Sequence, residues 1–266
     1  MGQRVLVAVI GVPVLVYVVL WAPMVVMAAA LCILAGVGAW ELQQCVGGGN
    51  RHGWESLGVL FSVWAVWIFY KHPEHIAAFF VTAGILICAS AIWEGGKIKF
   101  QQLSALLFGS IFLSYSFSSF LRLDALGLHR AYLLLPFILS FACDTFAYFT
   151  GLTLGKHKLA PKVSPKKTVE GSIGGLAGNV ACGLLFVWVM DRSFGGCAIG
   201  YGPMAALALL CGVVAQIGDL SFSLIKREFG IKDYGRLFLA HGGVLDRFDS
   251  VLFVAPAVEI LFGLLA

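Results

Sequence analysis

The chain has 266 residues, of which 60% are hydrophobic and 12% charged, and its mean hydropathy is +0.92. That usage excludes an ordinary soluble domain and marks an integral membrane protein. The formal net charge of +4 is modest and calls for no nucleic-acid partner. The seven cysteines (Cys32, Cys45, Cys88, Cys143, Cys182, Cys197 and Cys211) are odd in number, sit mostly in apolar runs and form no C-x-x-C pair. They read as small buried hydrophobes, not as a disulfide framework or a zinc site.

Apolar runs long enough to approach the roughly 20 helical residues that cross a hydrocarbon core lie near 5–20, 23–40, 54–70, 76–93, 103–121, 131–154, 171–190, 203–222 and 244–265. The expected fold is therefore an all-α polytopic helix bundle with about nine transmembrane helices. Met1 to Leu20 has the outline of a signal peptide. It is read as a retained first span, because a second apolar run follows Trp21-Ala22-Pro23 at once. Residues 1–130 carry about five spans, and residues 131–266 carry the remainder together with the motifs below. With the N-terminus on the cytoplasmic side, fourteen of the eighteen Lys and Arg fall in inner segments. Only Lys71, Arg122, Arg130 and Arg192 fall outside, as expected if basic loops stay cytoplasmic.

Two carboxylates interrupt apolar runs: Asp144 in F-A-C-D-T-F-A-Y and Asp219 in V-V-A-Q-I-G-D-L. A carboxylate in hydrocarbon costs at least ~2.5–3.5 kcal/mol, so such groups face a polar cavity or pair across helices. On one helix Asp219, Ser223 and Lys226 share a face. The run S-P-K-K-T-V-E-G, Ser164 to Gly171, sets two lysines and a hydroxyl before a helix start. Such an arrangement holds an anion at the positive end of the helix or lies as a polybasic loop on anionic lipid. Gly174 and Gly178 form a small-residue packing pattern. G-L-T-L-G-K-H, Gly151 to His157, is one residue too short for a Walker A loop and lacks its Ser or Thr.

The densest polar stretch is Ser223 to Asp249, S-L-I-K-R-E-F-G-I-K-D-Y-G-R-L-F-L-A-H-G-G-V-L-D-R-F-D. Asp246 and Asp249 stand three apart at a helix start and, with Asp219, can supply oxygens to Mg2+. Carboxylates beside Lys226, Arg227 and Lys232 suit phosphoryl or nucleotidyl transfer, in which metal neutralises charge and cations clamp phosphate.

This run resembles the signature of the CDP-diacylglycerol synthases (phosphatidate cytidylyltransferases). Ser223, Lys226, Arg227, Lys232, Asp233, Gly235, Phe238, His241, Gly242, Gly243, Asp246, Arg247 and Asp249 fall in register with it. Asp144, Ala147 and Tyr148 match the family's D-x-x-A-Y, and Ser164 to Gly171 its S-P-K-K-T-x-E-G. Leu239-Ala240 stands where the family usually has Pro-Gly before the His. The resemblance implies transfer of CMP from CTP to phosphatidic acid, giving CDP-diacylglycerol and pyrophosphate. Its implied catalytic residues are Asp219, Asp246, Lys226, Arg227 and His241, with Asp219, Asp246 and Asp249 toward Mg2+ and room for a second cation. Asp144, Ser164, Lys166, Lys167, Thr168, Glu170, Ser223, Lys232, Asp233, Gly242, Gly243 and Arg247 are the implied substrate-binding residues. The implied setting is a bacterial inner membrane with the site on its cytoplasmic side, and a homodimer is compatible with it. Two other readings stay open: a CTP-dependent polyprenol or lipid kinase, and a membrane transporter.

Overall fold

The computed structural model describes residues 2–47, 52–95, 97–235 and 242–265. His241, with Phe238, Leu239 and Ala240 of the signature run, lies outside the described residues. The helices are α1 (Gly2–Leu20), α2 (Met24–Gly47), α3 (His52–Lys71), α4 (Ile76–Trp93), α5 (Phe100–Phe108), α6 (Ser114–Ala125), α7 (Leu135–Leu154), α8 (Val169–Ser193), α9 (Tyr201–Glu228), α10 (Leu245–Phe248) and α11 (Val251–Leu265). Among the described residues six helical segments are long and apolar enough to cross a membrane, and three shorter apolar helices accompany them at Gly11–Leu20, Ser56–Lys71 and Val251–Leu265. The protein is thus an all-α polytopic membrane protein. The last apolar run, read from the sequence as one span over 244–265, is broken at Asp249-Ser250 into α10 and α11.

The basic loop after α7 contains a two-stranded antiparallel hairpin, β1 (Lys158–Ala160) and β2 (Ser164–Thr168), with Lys158 opposite Thr168 and Ala160 opposite Ser164. Pro161 explains the reversal. Its fixed φ suits the second position of the turn that closes with Val163 N–H donating to Ala160 C=O at 3.2 Å.

By internal packing the chain divides into two units: Met1–Arg122 with Glu228–Arg247, and Leu123–Arg227 with Phe248–Ala266. In the first, α2 turns small residues toward its neighbours: Ala28, Ala35 and Ala39 are fully buried. Between α5 and α6, Gly109–Leu113 winds as a π-turn. A π-turn loosens the i→i−4 ladder, and here a side chain of α3 engages one of its carbonyls while α6 returns a bond to α3. Ser62 Oγ donates to Gly109 C=O and Ser114 Oγ to Ser62 C=O, both at 3.2 Å. At the end of this unit the Arg122 guanidinium lies 3.9 Å from the Tyr115 ring centroid and 4.6 Å from that of Phe69. It also donates to Ser118 Oγ and Ser119 Oγ.

The second unit is built on α7 against α8. A Cβ added at Gly171 would fall 2.7 Å from Ala147 C=O, and one at Gly175 would fall 2.9 Å from Cys143 C=O. The two backbones therefore approach as closely as only glycine allows. Asn179 Nδ2 donates to Ala208 C=O at 2.7 Å, joining α8 to α9 inside the same unit.

Gly175→Ala gains helix propensity but forces α8 away from α7, so we expect it to lower stability by about 1–3 kcal/mol. Gly84→Ala, in α4 with nothing within 4 Å of its added Cβ, is the matched control and leaves the melting temperature in detergent unchanged or slightly raised. Thermal unfolding of the two variants side by side is the measurement.

Candidate active site

Four pieces of the second unit bring polar side chains together. α7 supplies Asp144, the hairpin supplies Lys167, α9 supplies Asp219 and Ser223, and the break before α11 supplies Asp249 and Ser250. Lys167 follows its β-strand almost to the start of α8, and its Nζ pairs with Asp219 Oδ2 while both side chains stay about three-quarters covered. One helical turn on, Ser223 Oγ donates to Asp219 Oδ1 at 3.3 Å. Asp249 Oδ1 accepts the N–H of Ser250 at 2.8 Å, and Ser250 Oγ donates to Asp144 Oδ2 at 3.4 Å. The carboxylates of Asp219 and Asp144 act on Asp249 at Coulombic range, as does the amine of Lys226. α9 lies directly against the helix break: a Cβ on Gly218 would fall 2.8 Å from Asp249 C=O.

This is an anionic cluster with its own cation. Like charges at this range repel, so the cluster favours an added positive charge. Asp144, Asp219 and Asp249 do not draw three donor atoms within 4.8 Å of one another. Among the described residues only the exposed His72, Glu74 and His75, at the turn between α3 and α4, do so.

Other residues of the basic segment hold backbone. Thr168 caps α8, its Oγ1 accepting from Gly171 N–H at 3.1 Å. Glu170, in the first turn, accepts from the N–H of Lys156 at 3.0 Å and of His157 at 3.2 Å, and its other oxygen lies 2.6 Å from His157 Nδ1. Arg227 Nε donates to Val163 C=O at 3.3 Å, fastening the hairpin turn to the end of α9. Lys166 is exposed and Ser164 is half-buried.

In the first unit, the signature run is organised around Asp246. Its Oδ2 accepts from Tyr234 N–H at 2.8 Å and from Gly243 N–H at 3.0 Å. Gly242 has φ +85, a left-handed conformation that glycine adopts without strain. Lys232, Asp233 and Arg247 are exposed. Asp246 thus acts as a brace for the loop, a part that the spacing of carboxylates does not show.

Sequence reasoning passed over Gln216 and Ser172. Ser172 Oγ bonds Gln216 Oε1, and Gln216 Nε2 donates back to Ser172 C=O at 3.1 Å and toward Cys143 Sγ at 3.6 Å. The available signal was position: Gln216 stands three residues before Asp219, on nearly the same face of α9.

A sequence model of the cytidylyltransferase family matches residues 2–265. The phosphatidate cytidylyltransferase of Staphylococcus aureus strain COL is 34% identical over 181 residues, which is 68% of this chain and 67% of that protein. Those of Staphylococcus haemolyticus strain JCSC1435 and Staphylococcus epidermidis strain RP62A are each 33% identical over the same shares.

Replacing Lys167 by Met strands the Asp219 carboxylate, and replacing Asp219 by Asn strands the amine. We expect the double variant to be less destabilised than the two singles summed, with a coupling of about 1–2 kcal/mol because the pair is only partly exposed. Denaturation of the four proteins in detergent measures it, and additive effects would show the pair to be energetically idle.

Proposed function

We propose, since the chain belongs to the cytidylyltransferase family, that it transfers the cytidylyl group of CTP to phosphatidate, forming CDP-diacylglycerol and pyrophosphate. The observation that carries the reading is the Lys167–Asp219 pair set beside Asp144 and Asp249, within a chain whose relatives are phosphatidate cytidylyltransferases.

The chemistry asks little covalent work of the protein. A phosphomonoester has its second pKa near ~6, so phosphatidate is largely dianionic at neutral pH. Its oxygen attacks the α-phosphorus of CTP, the bond to the bridging oxygen of the β-phosphate breaks, and pyrophosphate departs with that electron pair. What remains for the protein is alignment and charge neutralisation. We assign Lys166, Lys167, Lys226 and Arg227 to phosphate charge at this end of the second unit, and Lys232 and Arg247 to phosphate from the signature loop.

Mg2+ fits the donor set, which consists of hard carboxylate oxygens already facing a cation. Asp219 and Asp249 would hold it, and it would neutralise charge on the triphosphate. Asp144, tied to Ser250, would keep the wall beside them polar. Ser223 keeps Asp219 oriented through its hydroxyl. In this reading the site opens on the cytoplasmic side of a bacterial inner membrane, where the basic segments lie and CTP is found.

Detergent-purified protein given α-labelled CTP, phosphatidate and Mg2+ should move label into lipid. Asp219→Ala should lower the rate by at least about 100-fold while remaining folded. Label reaching lipid from γ-labelled CTP alone would replace cytidylyl transfer by phosphoryl transfer, and no transfer of either label would remove both.

A further inference from the structure

One buried charge belongs to none of the groups above. Glu41 lies near the end of α2 and is 1% exposed. A buried carboxylate is costly unless its oxygens are bonded. Both of them are: Oε1 accepts from Val244 N–H and Oε2 from Leu245 N–H, each at 2.9 Å. These amides lie just after His241-Gly242-Gly243 and just before Asp246, at the centre of the signature run and roughly two hundred residues away in sequence.

The contact is shaped as well as charged. A Cβ on Gly243 would overlap the Glu41 carboxylate, and one on Gly235 would fall 2.9 Å from its Cδ and closer still to Oε1. The same carboxylate therefore fills the side-chain space of a glycine on each flank of residues 236–241. Gly38, one turn earlier on α2, receives Leu245: a Cβ there would lie 3.2 Å from Leu245 Cδ2. Leu245 itself is fully buried. With Asp246 Oδ2 joining Tyr234 N–H to Gly243 N–H, the loop is tied end to end by one carboxylate and keyed to α2 by another.

We propose that Glu41 is the positioning residue of the signature loop. It sets the place from which Lys232 and Arg247 act, without itself touching substrate. The catalytic part of this inference rests on the cytidylyl-transfer reading; the anchoring part does not. A carboxylate that merely supported the fold would, when altered, reduce the fraction of folded enzyme and so lower kcat alone. A loop held in the wrong place raises KM for CTP instead.

Glu41→Gln keeps the volume but turns an NH2 toward one of the two amides, so one bond is lost and a donor faces a donor. In purified full-length protein, checked for monodispersity, we expect kcat/KM for CTP to fall by about 10- to 100-fold, chiefly through KM. KM for phosphatidate stays within about twofold. Hydrogen exchange at the Val244 and Leu245 amides should accelerate in the same variant. A second arm uses Glu41→Ala and keeps the test decisive where that variant alone folds poorly. Gly243→Ala should harm the wild type, where its methyl meets the carboxylate, and add little in the Glu41→Ala background, where the space is vacated.

Wild-type kinetics in Glu41→Gln would overturn the positioning role. Unchanged exchange at Val244 and Leu245, or additive effects of Gly243→Ala and Glu41→Ala on thermal unfolding, would overturn the anchoring. Should the wild-type protein transfer no label at all, cytidylyl transfer falls, and exchange and additivity alone decide: faster exchange with non-additive effects upholds the anchor, and their absence removes it.

Discussion

Hydrocarbon is the solvent to which this chain answers. Every peptide group within it must find its partner inside the protein, which restricts the spans to helices. Each charge taken into it must be matched on the spot. The buried or half-buried carboxylates show how strictly this is met. Asp219 has an amine on one oxygen and a hydroxyl on the other. Asp144 has Ser250. Glu41 has two backbone amides. None of these partners is adjacent to its carboxylate in sequence, so the folded arrangement of the helices is what makes the charges tolerable.

The same economy governs the backbone of the second unit. α7 and α8 meet through glycines, and that closeness brings the hairpin between them back along α9, where Lys167 reaches Asp219. A wider α7–α8 spacing would move the start of α8, the Thr168 cap and the lysine with it. The packing of apolar helices thus sets the position of the polar group that matters most for charge. The break between α10 and α11 serves the same end, because it frees the backbone at Asp249-Ser250 to turn a carboxylate and a hydroxyl inward.

How much of this could be read in advance depended on the range of the interaction. The apolar runs predict the spans because hydropathy is local. Asp144 and Asp219 declare themselves because they interrupt such runs, and Ser223 because it stands one turn from Asp219. The hairpin was hidden in a stretch dominated by lysines, where strand alternation is too short to register and only Pro161 marks the turn. Glu41, in A-W-E-L-Q-Q near the end of α2, gives no local sign of its partners, because Val244 and Leu245 come about two hundred residues later. The brace at Asp246 was concealed for a different reason: its partners, the amides of Tyr234 and Gly243, are backbone groups that no residue letter announces.

The carboxylate of Asp246 also has a bearing on how this loop can vary. By holding the amides of Tyr234 and Gly243 on a single oxygen, it fixes where the segment leaves and where it returns. The entropy of closing the loop is then set by its fastened ends, and it grows only slowly with what lies between them, by about 0.6 kcal/mol for each doubling of length. Leu239-Ala240, standing where the family usually has Pro-Gly, lies in sequence between those fastened ends. In a family sharing this clasp, the number of residues between the fastened ends can change at small cost, while Phe238 and His241 of this chain stay in register with the signature.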